Sequence, residues 1–454
     1  MSNIRYVSLL VLTTIFGILC YGIVKLVSPP QLPKIEENSW WGPGKAVEES
    51  DAVRRFTIKI PKKDIIDLQW RLENHRPLTP PLENVHHQYG INTNLVNELV
   101  RYWRTKYNWT EREAFLNRYP QYKTKIHGLD VHFIHVKRDN AGNKTVLPLL
   151  LLHGWPGSVR EFYEAFPLLT EATNRSFVLE VVAPHIPGYG FSQAASKPGL
   201  GVPQVAVILR KLMHRLGHKK FYCQGGDMGG IILQTLSVLY PDSVLGFHSN
   251  MVLIYTVKGH LYPFLSAINP SWVVKEHHYD RVYPLIDKAL FILQESAYLH
   301  LQATKPDSLG VAMTDSPVGL AAYILEKFVT GSNFTWIHHG GNLLEKFSFD
   351  ELIDNIMIYW LTSTATSSFR LYAESFTKMA FYNILRNPVK VPSSIARYRY
   401  DLYSPDGILS EIYPNLVQLT DHDGGHFAAF ENPSVFSNDV LSAIEKFETF
   451  HNCK

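Results

Sequence analysis

One short stretch of this chain decides its fold: Gly225-Gly226-Asp227-Met228-Gly229-Gly230. It follows an apolar, strand-like run and precedes a helix-like run from 231 to 240. Glycines two residues before and two residues after a potential nucleophile are typical of a sharp turn from strand to helix, because larger side chains there would collide with neighbouring elements. The pattern therefore predicts an elbow that presents the side chain of Asp227 at the edge of a sheet.

An aspartate at the centre of this elbow favours displacement at an alkyl carbon. Serine hydrolases carry Ser at this position, whereas a carboxylate is already charged at neutral pH and needs no base before it attacks. Suitable targets are an epoxide carbon or a carbon that bears a halogen. A serine-type esterase is disfavoured, while a haloalkane dehalogenase, a phosphate-binding turn or a purely structural glycine turn remains possible from this stretch alone.

Two further segments favour a catalytic elbow. Residues 147 to 152 form a continuous apolar run, as expected of a strand buried on both faces, and it ends in the loop His153-Gly154-Trp155-Pro156-Gly157-Ser158. Near the C-terminus, Asp423-Gly424-Gly425-His426-Phe427 follows another strand-like run. The order nucleophile, acid, histidine is the chain order of the α/β-hydrolase triad, which makes His426 the predicted base.

At this point the chain resembles a known family, the microsomal epoxide hydrolases, which include the insect juvenile hormone epoxide hydrolases. The resemblance rests on the loop at 153 to 158, on Pro187-Gly188-Tyr189-Gly190-Phe191-Ser192, on the elbow, and on the stretch from 424 to 431. It continues at 40 to 44, 117 to 120 and 316 to 323, so it spans nearly the whole chain. One departure is Met228, where relatives usually carry Trp; this bears on the pocket lining more than on the mechanism.

The resemblance implies the fold and the organisation of the chain. We expect an α/β-hydrolase fold with an inserted helical lid, an N-terminal extension and an N-terminal transmembrane anchor. The predicted boundaries are an anchor at 1–27, a linker at 28–50, an extension at 51–146, a first core part at 147–254, the lid at 255–386 and a second core part at 387–454.

The resemblance also implies roles for individual residues. The acid that orients His426 matches Asp401, which ends a strand-like run; relatives of the mammalian type carry Glu there. Other acids in the same tail compete for this role, namely Asp406, Asp421 and Asp423.

The group that protonates the epoxide oxygen is expected to come from the lid. A tyrosine suits this task because its phenol is protonated at neutral pH, and the family motifs match Tyr298 and Tyr372 among 24 tyrosines. Backbone N–H groups of Trp155 and Met228 are expected to receive the oxyanion that forms during ester hydrolysis.

Composition agrees with one large catalytic unit. A chain of 454 residues with 46% hydrophobic residues can bury a sizeable core, and a net charge of +3 gives no indication of nucleic-acid binding. Three cysteines exclude a disulfide framework. Adjacent histidine pairs lack the spacing of metal ligands, so neither a metal nor a cofactor is predicted.

The N-terminal segment is long and apolar enough for a membrane helix. Residues 6 to 24 carry no charge and are flanked by Arg5 and Lys25. A cleaved signal peptide is the alternative, but the run is long and no small-x-small cleavage pattern follows it. The resemblance implies an anchor in the endoplasmic reticulum with the catalytic part in the cytosol.

Local patterns predict the remaining elements. A strand is expected at 56 to 60, helices at 62 to 76 and 94 to 107, and a third helix with a capping box formed by Thr110 and Glu113. Strands of the hydrolase sheet are predicted at 131–136, 147–152, 178–183, 219–223, 245–249, 390–400 and 415–420.

The predicted activity is hydrolysis of a lipophilic epoxide to a vicinal diol through a covalent ester on Asp227, with water as the second substrate. The substrate is expected to be a juvenile hormone. Alternatives are a general hydrolase of foreign epoxides and, from another class, a non-catalytic lipid or hormone carrier. A carrier would have no reason to keep Asp227, His426 and an orienting acid together.

Overall fold

The computed structural model describes residues 28–138, 140–171, 174–340 and 343–453. The predicted anchor lies outside this part. The strands found within it form a single nine-stranded sheet in the order β1-β2-β3-β5-β4-β6-β7-β8-β9. They are β1 (Arg54–Phe56), β2 (Gln121–Ile126), β3 (Leu129–Val136), β4 (Thr145–Leu152), β5 (Phe177–Pro184), β6 (Phe221–Gly225), β7 (Val244–Ser249), β8 (Ser393–Tyr398) and β9 (Leu416–His422).

The sheet has an antiparallel edge and a parallel body. β1, β2, β3 and β5 pair antiparallel, whereas the strands from β5 through β4 to β9 pair parallel. The parallel strands therefore end at a common edge, where ligands of such sheets bind. This arrangement confirms the predicted α/β-hydrolase sheet and puts the loops after β4, β6, β8 and β9 side by side.

Helices connect and cover these strands. Before the body of the sheet come α1 (Lys62–Glu73), α2 (Thr93–Thr105) and α3 (Trp109–Leu116), and within its first part lie α4 (Ala165–Thr170), α5 (Val202–Arg215) and α6 (Asp227–Leu239). Between β7 and β8 the chain forms α7 (Val257–Ile268), α8 (Tyr279–Val282), α9 (Leu285–Glu295), α10 (Ala297–Thr304), α11 (Pro306–Asp315), α12 (Pro317–Ser332), α13 (Trp336–His339), α14 (Phe349–Thr362), α15 (Ala365–Phe376) and α16 (Met379–Leu385). After β8 come α17 (Asp406–Ile412), α18 (Ala428–Glu431) and α19 (Pro433–Asn452).

The continuous apolar run of β4 is buried on both faces, as its sequence predicts. Leu150 and Leu152 belong to the core that contains α5 and α6. Leu149 and Leu151 belong to the core on the opposite face, which contains α4 and α19. Because side chains alternate along a strand, only a strand covered by helices on both sides can be apolar throughout.

The structure differs from the local predictions in two elements and adds a third. β1 ends at Phe56 rather than at residue 60, since the N–H of Ile58 donates to the side chain of Asn117, 2.8 Å away. Helix α3 is capped by Asn108, whose side chain accepts from the N–H of Thr110, so the predicted capping box is wrong. Strand β2 was not predicted.

Within the described residues, no single helix combines the length and apolarity that crossing a bilayer requires. Helices α11 and α12 meet those criteria only as a pair, and their axes differ by a bend of 118°.

Candidate active site

The turn between β6 and α6 is as sharp as its glycines suggest. Asp227 has a φ of 47°, in the left-handed region that a non-glycine residue adopts only under local strain. A Cβ at Gly229 would lie 2.2 Å from the carbonyl oxygen of Leu152, so no side chain fits there. The elbow therefore places the carboxylate of Asp227 beyond the carboxyl end of β6.

The loop after β4 holds this carboxylate from one side. The backbone N–H of Trp155 donates to Asp227 Oδ1 at 2.7 Å. A Cβ at Gly154 would lie 2.3 Å from the same oxygen, so the close approach requires glycine. One carboxylate oxygen is thus fixed by a backbone donor.

His426 lies on the other side of the nucleophile. Its Nε2 is 3.6 Å from Asp227 Oδ2, and its Nδ1 is 3.0 Å from Asp401 Oδ1. Burial alone would lower the pKa of His426, but the charge of Asp401 and the hydrogen bond to Asp227 together raise it well above its ordinary value. The imidazole is therefore protonated while both carboxylates are charged.

The structure separates Asp401 from the competing acids. Asp406 and Asp421 both bind the guanidinium of Arg397, which engages them away from the histidine. Asp423 is exposed. Because β8 and β9 are neighbours in the sheet, the loops that carry Asp401 and His426 meet at its edge.

The loop of His426 is held by a buried carboxyl group that was not predicted. Glu431 accepts hydrogen bonds from the N–H groups of Gly425 and Phe427, at 3.0 and 3.1 Å. Burial raises the pKa of Glu431 to about 7. The N–H of His426 itself donates to the carbonyl of Gly331, 2.8 Å away, which ties this loop to α12.

Helix α14 fixes the loop after β4 through two hydrogen bonds to backbone carbonyl groups of the loop. Asn355 donates to the carbonyl of Pro156, and the hydroxyl of Tyr359 donates to the carbonyl of Gly157, both at 2.7 Å. The sequence offers no local signal for these contacts, because the partners lie about 200 residues apart. Their effect is to hold the N–H of Trp155 toward Asp227.

The two predicted tyrosines lie across the indole of Trp155. The ring of Tyr298 stacks on it at a centroid distance of 5.2 Å, and Tyr372 meets it edge-on at 6.3 Å. The two tyrosine rings are 6.3 Å apart. The hydroxyl of Tyr372 is buried and, among the described residues, has no hydrogen-bond partner. It is thus available to a bound molecule.

Both phenols stay protonated at neutral pH. Burial, followed by the charge of Asp227, raises the pKa of Tyr298 and of Tyr372 well above the ordinary value. Met228, the second predicted oxyanion donor, is buried in the first turn of α6, where backbone N–H groups have no acceptor within the helix. The structure thus brings all the predicted site residues to one edge of the sheet.

One group of side chains elsewhere has the composition of a metal site. The Nε2 atoms of His135 and His218 lie 2.6 and 3.2 Å from Glu180 Oε1. Hydrogen bonds from these two histidines lower the pKa of Glu180. The three groups already satisfy one another, and they are remote from Asp227 in the sheet.

Comparison with known proteins gives consistent matches. Residues 53–162 match the family model for the N terminus of epoxide hydrolases, and residues 148–272 match the model for the α/β-hydrolase fold. The chain is 45% identical to juvenile hormone epoxide hydrolase 2 of Ctenocephalides felis, over 100% of this chain and 98% of that protein. It is 41% identical to epoxide hydrolase 1 of Sus scrofa, over 95% of this chain and 97% of that protein.

A solved structure also matches. The crystal structure of juvenile hormone epoxide hydrolase from the silkworm Bombyx mori superposes with a TM-score of 0.89 at 43% sequence identity. The match covers 92% of this chain and 100% of the silkworm chain.

Proposed function

This chain belongs to the epoxide hydrolase family, and we propose that it converts a juvenile hormone to its diol through a covalent ester on Asp227. The observation that carries the mechanism is the position of Asp227 between two sets of groups. His426 with Asp401 lies on one side, and Tyr298 with Tyr372 lies across Trp155.

The first step is attack of Asp227 on an epoxide carbon. Oδ1 is held by the N–H of Trp155 and becomes the carbonyl oxygen of the ester, so Oδ2 forms the new bond to carbon. The carbon–oxygen bond of the ring breaks, and the leaving alkoxide takes a proton from Tyr298 or Tyr372. The product of this step is a hydroxyalkyl ester.

Ester formation changes the state of His426. The negative charge of Asp227, one of the two charges that raise the pKa of His426, disappears on alkylation. His426 then gives up a proton, which balances the return of a proton to the tyrosinate. The neutral imidazole is the base that the second step needs.

The second step is hydrolysis of the ester. His426 Nε2 takes a proton from water, and the water oxygen attacks the carboxyl carbon of Asp227. The N–H groups of Trp155 and Met228 stabilise the oxyanion. The intermediate collapses with release of the diol, whose oxygen takes the proton back from His426. The carboxylic acid left on Asp227 then gives its proton to His426, which restores the carboxylate and the protonated imidazole of the starting state.

Isotope labelling tests the covalent route. In a single turnover in heavy-oxygen water, the label is expected in the peptide that contains Asp227, and the first diol is expected to remain unlabelled. Direct attack of water would label the diol instead, and Asp227 would then be a general base.

The assignment of a juvenile hormone as the substrate is supported by the insect relatives that the chain matches along its whole length. Turnover of a juvenile hormone should exceed turnover of styrene oxide by the purified full chain. Equal rates would favour the general hydrolase of foreign epoxides. Halide release from a chloroalkane without diol formation would favour a dehalogenase, and tight binding of hormone without turnover would favour a carrier.

We also propose that residues 255–386, which include α7 to α16, act as a lid over the site. The lid carries Tyr298 and Tyr372, while Asp227, Asp401 and His426 lie on the sheet side. In this organisation, the extension at 51–146 wraps around the core. The first part of the core is formed by residues 147–254, and the second part is formed by residues 387–454.

Anchorage in the endoplasmic reticulum by residues 1–27 is the remaining part of the proposal. Pro30 accepts a hydrogen bond from Asn387, so the described chain starts beside the end of α16. The lid helices α7 and α9 expose large apolar side chains, with Phe264, Ile268 and Ile286 each more than 70% exposed. Both observations support a membrane that faces the proposed lid.

Membrane extraction tests the anchor in the full chain. The protein should resist carbonate extraction, and Leu10→Arg combined with Ile15→Arg should release it. The four glycosylation sequons, which begin at Asn108, Asn143, Asn174 and Asn333, should remain unmodified if the catalytic part is cytosolic. A glycan at any of these sites would show that the catalytic part faces the lumen instead of the cytosol.

A further inference from the structure

A small cavity of about 20 Å³ lies beside the carboxylate of Asp227. A cavity of about 10–15 Å³ can hold one water molecule if two to four polar partners surround it. This cavity therefore has room for one water. The side chains that supply polar groups to its lining are Glu161, Gln224, Asp227, Asn250 and His426.

The cavity lies on the histidine side of the nucleophile. Neither Tyr298 nor Tyr372 lines it, whereas His426 and the loop that follows His426 do. A molecule in this cavity is therefore placed for the hydrolysis of the ester rather than for the protonation of the epoxide oxygen.

Among the polar lining groups without a role in the mechanism, Gln224 donates to Asn250 and Asn250 donates to the carbonyl of His426, whereas Glu161 is a carboxyl group without such a contact. It lies in a short 3₁₀ helix, Val159–Phe162, directly after the loop that carries Trp155. Its Oε2 approaches Gly157 so closely that a Cβ there would lie 3.3 Å away. The side chain is partly buried, and it lines the cavity.

The carboxyl group of Glu161 has no visible structural task. In the described part of the chain, no ion pair and no hydrogen-bond donor engages its oxygens. Its neighbour Glu164 differs, because Glu164 binds both Arg160 and Arg118. A carboxyl group that has no protein partner and lines a water-sized cavity is placed to bind a polar molecule there.

We propose, on the basis of the function proposed above, that Glu161 holds the water molecule that hydrolyses the Asp227 ester. An oxygen of Glu161 accepts one hydrogen of this water, and His426 Nε2 removes the other as the oxygen attacks the carboxyl carbon of Asp227. Glu161 itself gains and loses no proton in the step. Its role is to orient a lone pair of the water oxygen toward the carboxyl carbon of Asp227.

The position of Glu161 suits this role in either ionisation state. Burial raises the pKa of Glu161 to about 8, the charge of His426 opposes this rise, and the charge of Asp227 adds to it. Because His426 and Asp227 both lose their charge when the ester forms, the resulting changes in the pKa of Glu161 oppose each other. The protonated and the ionised carboxyl group each present an oxygen that accepts a hydrogen bond from the water.

The test compares two variants of nearly equal side-chain volume in the full chain. E161L fills the same space without an acceptor, whereas E161Q retains an acceptor oxygen. In a single turnover followed by mass spectrometry of the acid-quenched protein, E161L should form the ester as fast as the wild type. It should hydrolyse that ester about 10- to 100-fold more slowly, because the water is no longer positioned. E161Q should recover part of the loss.

Steady-state kinetics give a second readout. Because the ester accumulates, kcat and KM should fall together in E161L, while kcat/KM, which reports the alkylation step, stays at the wild-type value. E164Q is the matched control, since this neighbouring carboxylate lies outside the cavity. Its hydrolysis rate should equal that of the wild type.

Two outcomes overturn the proposal. If E161L and E161Q both hydrolysed the ester as fast as the wild type, Glu161 would have no role in the second step, although the ester mechanism would stand. Absence of any ester in the wild type and in all variants would overturn the ester mechanism, and this inference with it.

Discussion

Asp401 Oδ1 lies 3.0 Å from His426 Nδ1, the ring nitrogen that faces away from the nucleophile. The same oxygen accepts a hydrogen bond of 2.7 Å from the N–H of Leu402, which fixes the orientation of the carboxylate. An ionised carboxylate can only accept a hydrogen bond, so Asp401 assigns the proton of neutral His426 to Nδ1. The lone pair is then on Nε2, toward Asp227. The carboxylate thus selects the tautomer that can act as a base.

Replacing Asp401 with Asn should therefore slow ester hydrolysis by roughly 100- to 10,000-fold, since an amide can stabilise the wrong tautomer and cannot stabilise the imidazolium. The rate of ester formation and the rate of ester hydrolysis should be measured separately by single-turnover mass spectrometry. Asp423→Asn is the control, because Asp423 is exposed. If Asp423→Asn were the slow variant, the assignment of the acid would be wrong.

His426→Gln should allow the ester to form and prevent its hydrolysis, because the glutamine cannot remove a proton from water. A labelled epoxide should then remain attached to the peptide that contains Asp227 after denaturation. Combining this change with Asp227→Asn should abolish the attachment. Normal turnover by His426→Gln would contradict the second step.

Tyr298→Phe and Tyr372→Phe should each slow ester formation, and the double variant should lose most of the roughly 100- to 10,000-fold that acid catalysis contributes. Both groups act on one oxygen, so the effect of the pair should exceed that of either change alone. Tyr323→Phe is a suitable control, since this phenol also packs on Trp155 but is bound by Gln302. Ester formation at the wild-type rate in the double variant would rule out these two tyrosines as the acids.

Glu431 gives a pH dependence of stability. Its pKa is raised from 4.5 to about 7 by burial, so the folded protein retains a proton that the unfolded chain has lost. Stability due to this group is therefore fully present below about pH 4.5 and is lost as the pH rises to about 7. The free energy of unfolding of the wild type, minus that of Glu431→Gln, should fall across this range and stay level above it. Chemical denaturation at several pH values measures this difference, and a difference independent of pH would contradict it.

The fold was predictable where the sequence pattern is local. The glycines around Asp227 and the apolar run of β4 each specify their structure without reference to distant residues. Strand β2 was missed because its sequence, QYKTKI, is mostly polar. The hairpin that follows carries a signal in retrospect, since His127 and Gly128 both have a positive φ, as type I′ turns require.

The site was predictable to a smaller extent. Asp227 and His426 follow from motif order, whereas Asp401 and the two tyrosines depended on family resemblance. Glu161 and Glu431 were not predicted as site residues, because a lone glutamate beside a helix usually faces solvent. Only the packing of distant segments shows that these two carboxyl groups lie beside the site.

The triad and the acid groups belong to different parts of the chain: Asp227, Asp401 and His426 follow strands of the sheet, and Tyr298 and Tyr372 lie on helices between β7 and β8. Substitutions that reshape the space around the tyrosines can therefore accumulate in lineages without disturbing the groups that regenerate the enzyme after each turnover. Selection can then alter which epoxides are accepted while the final half-reaction is inherited unchanged.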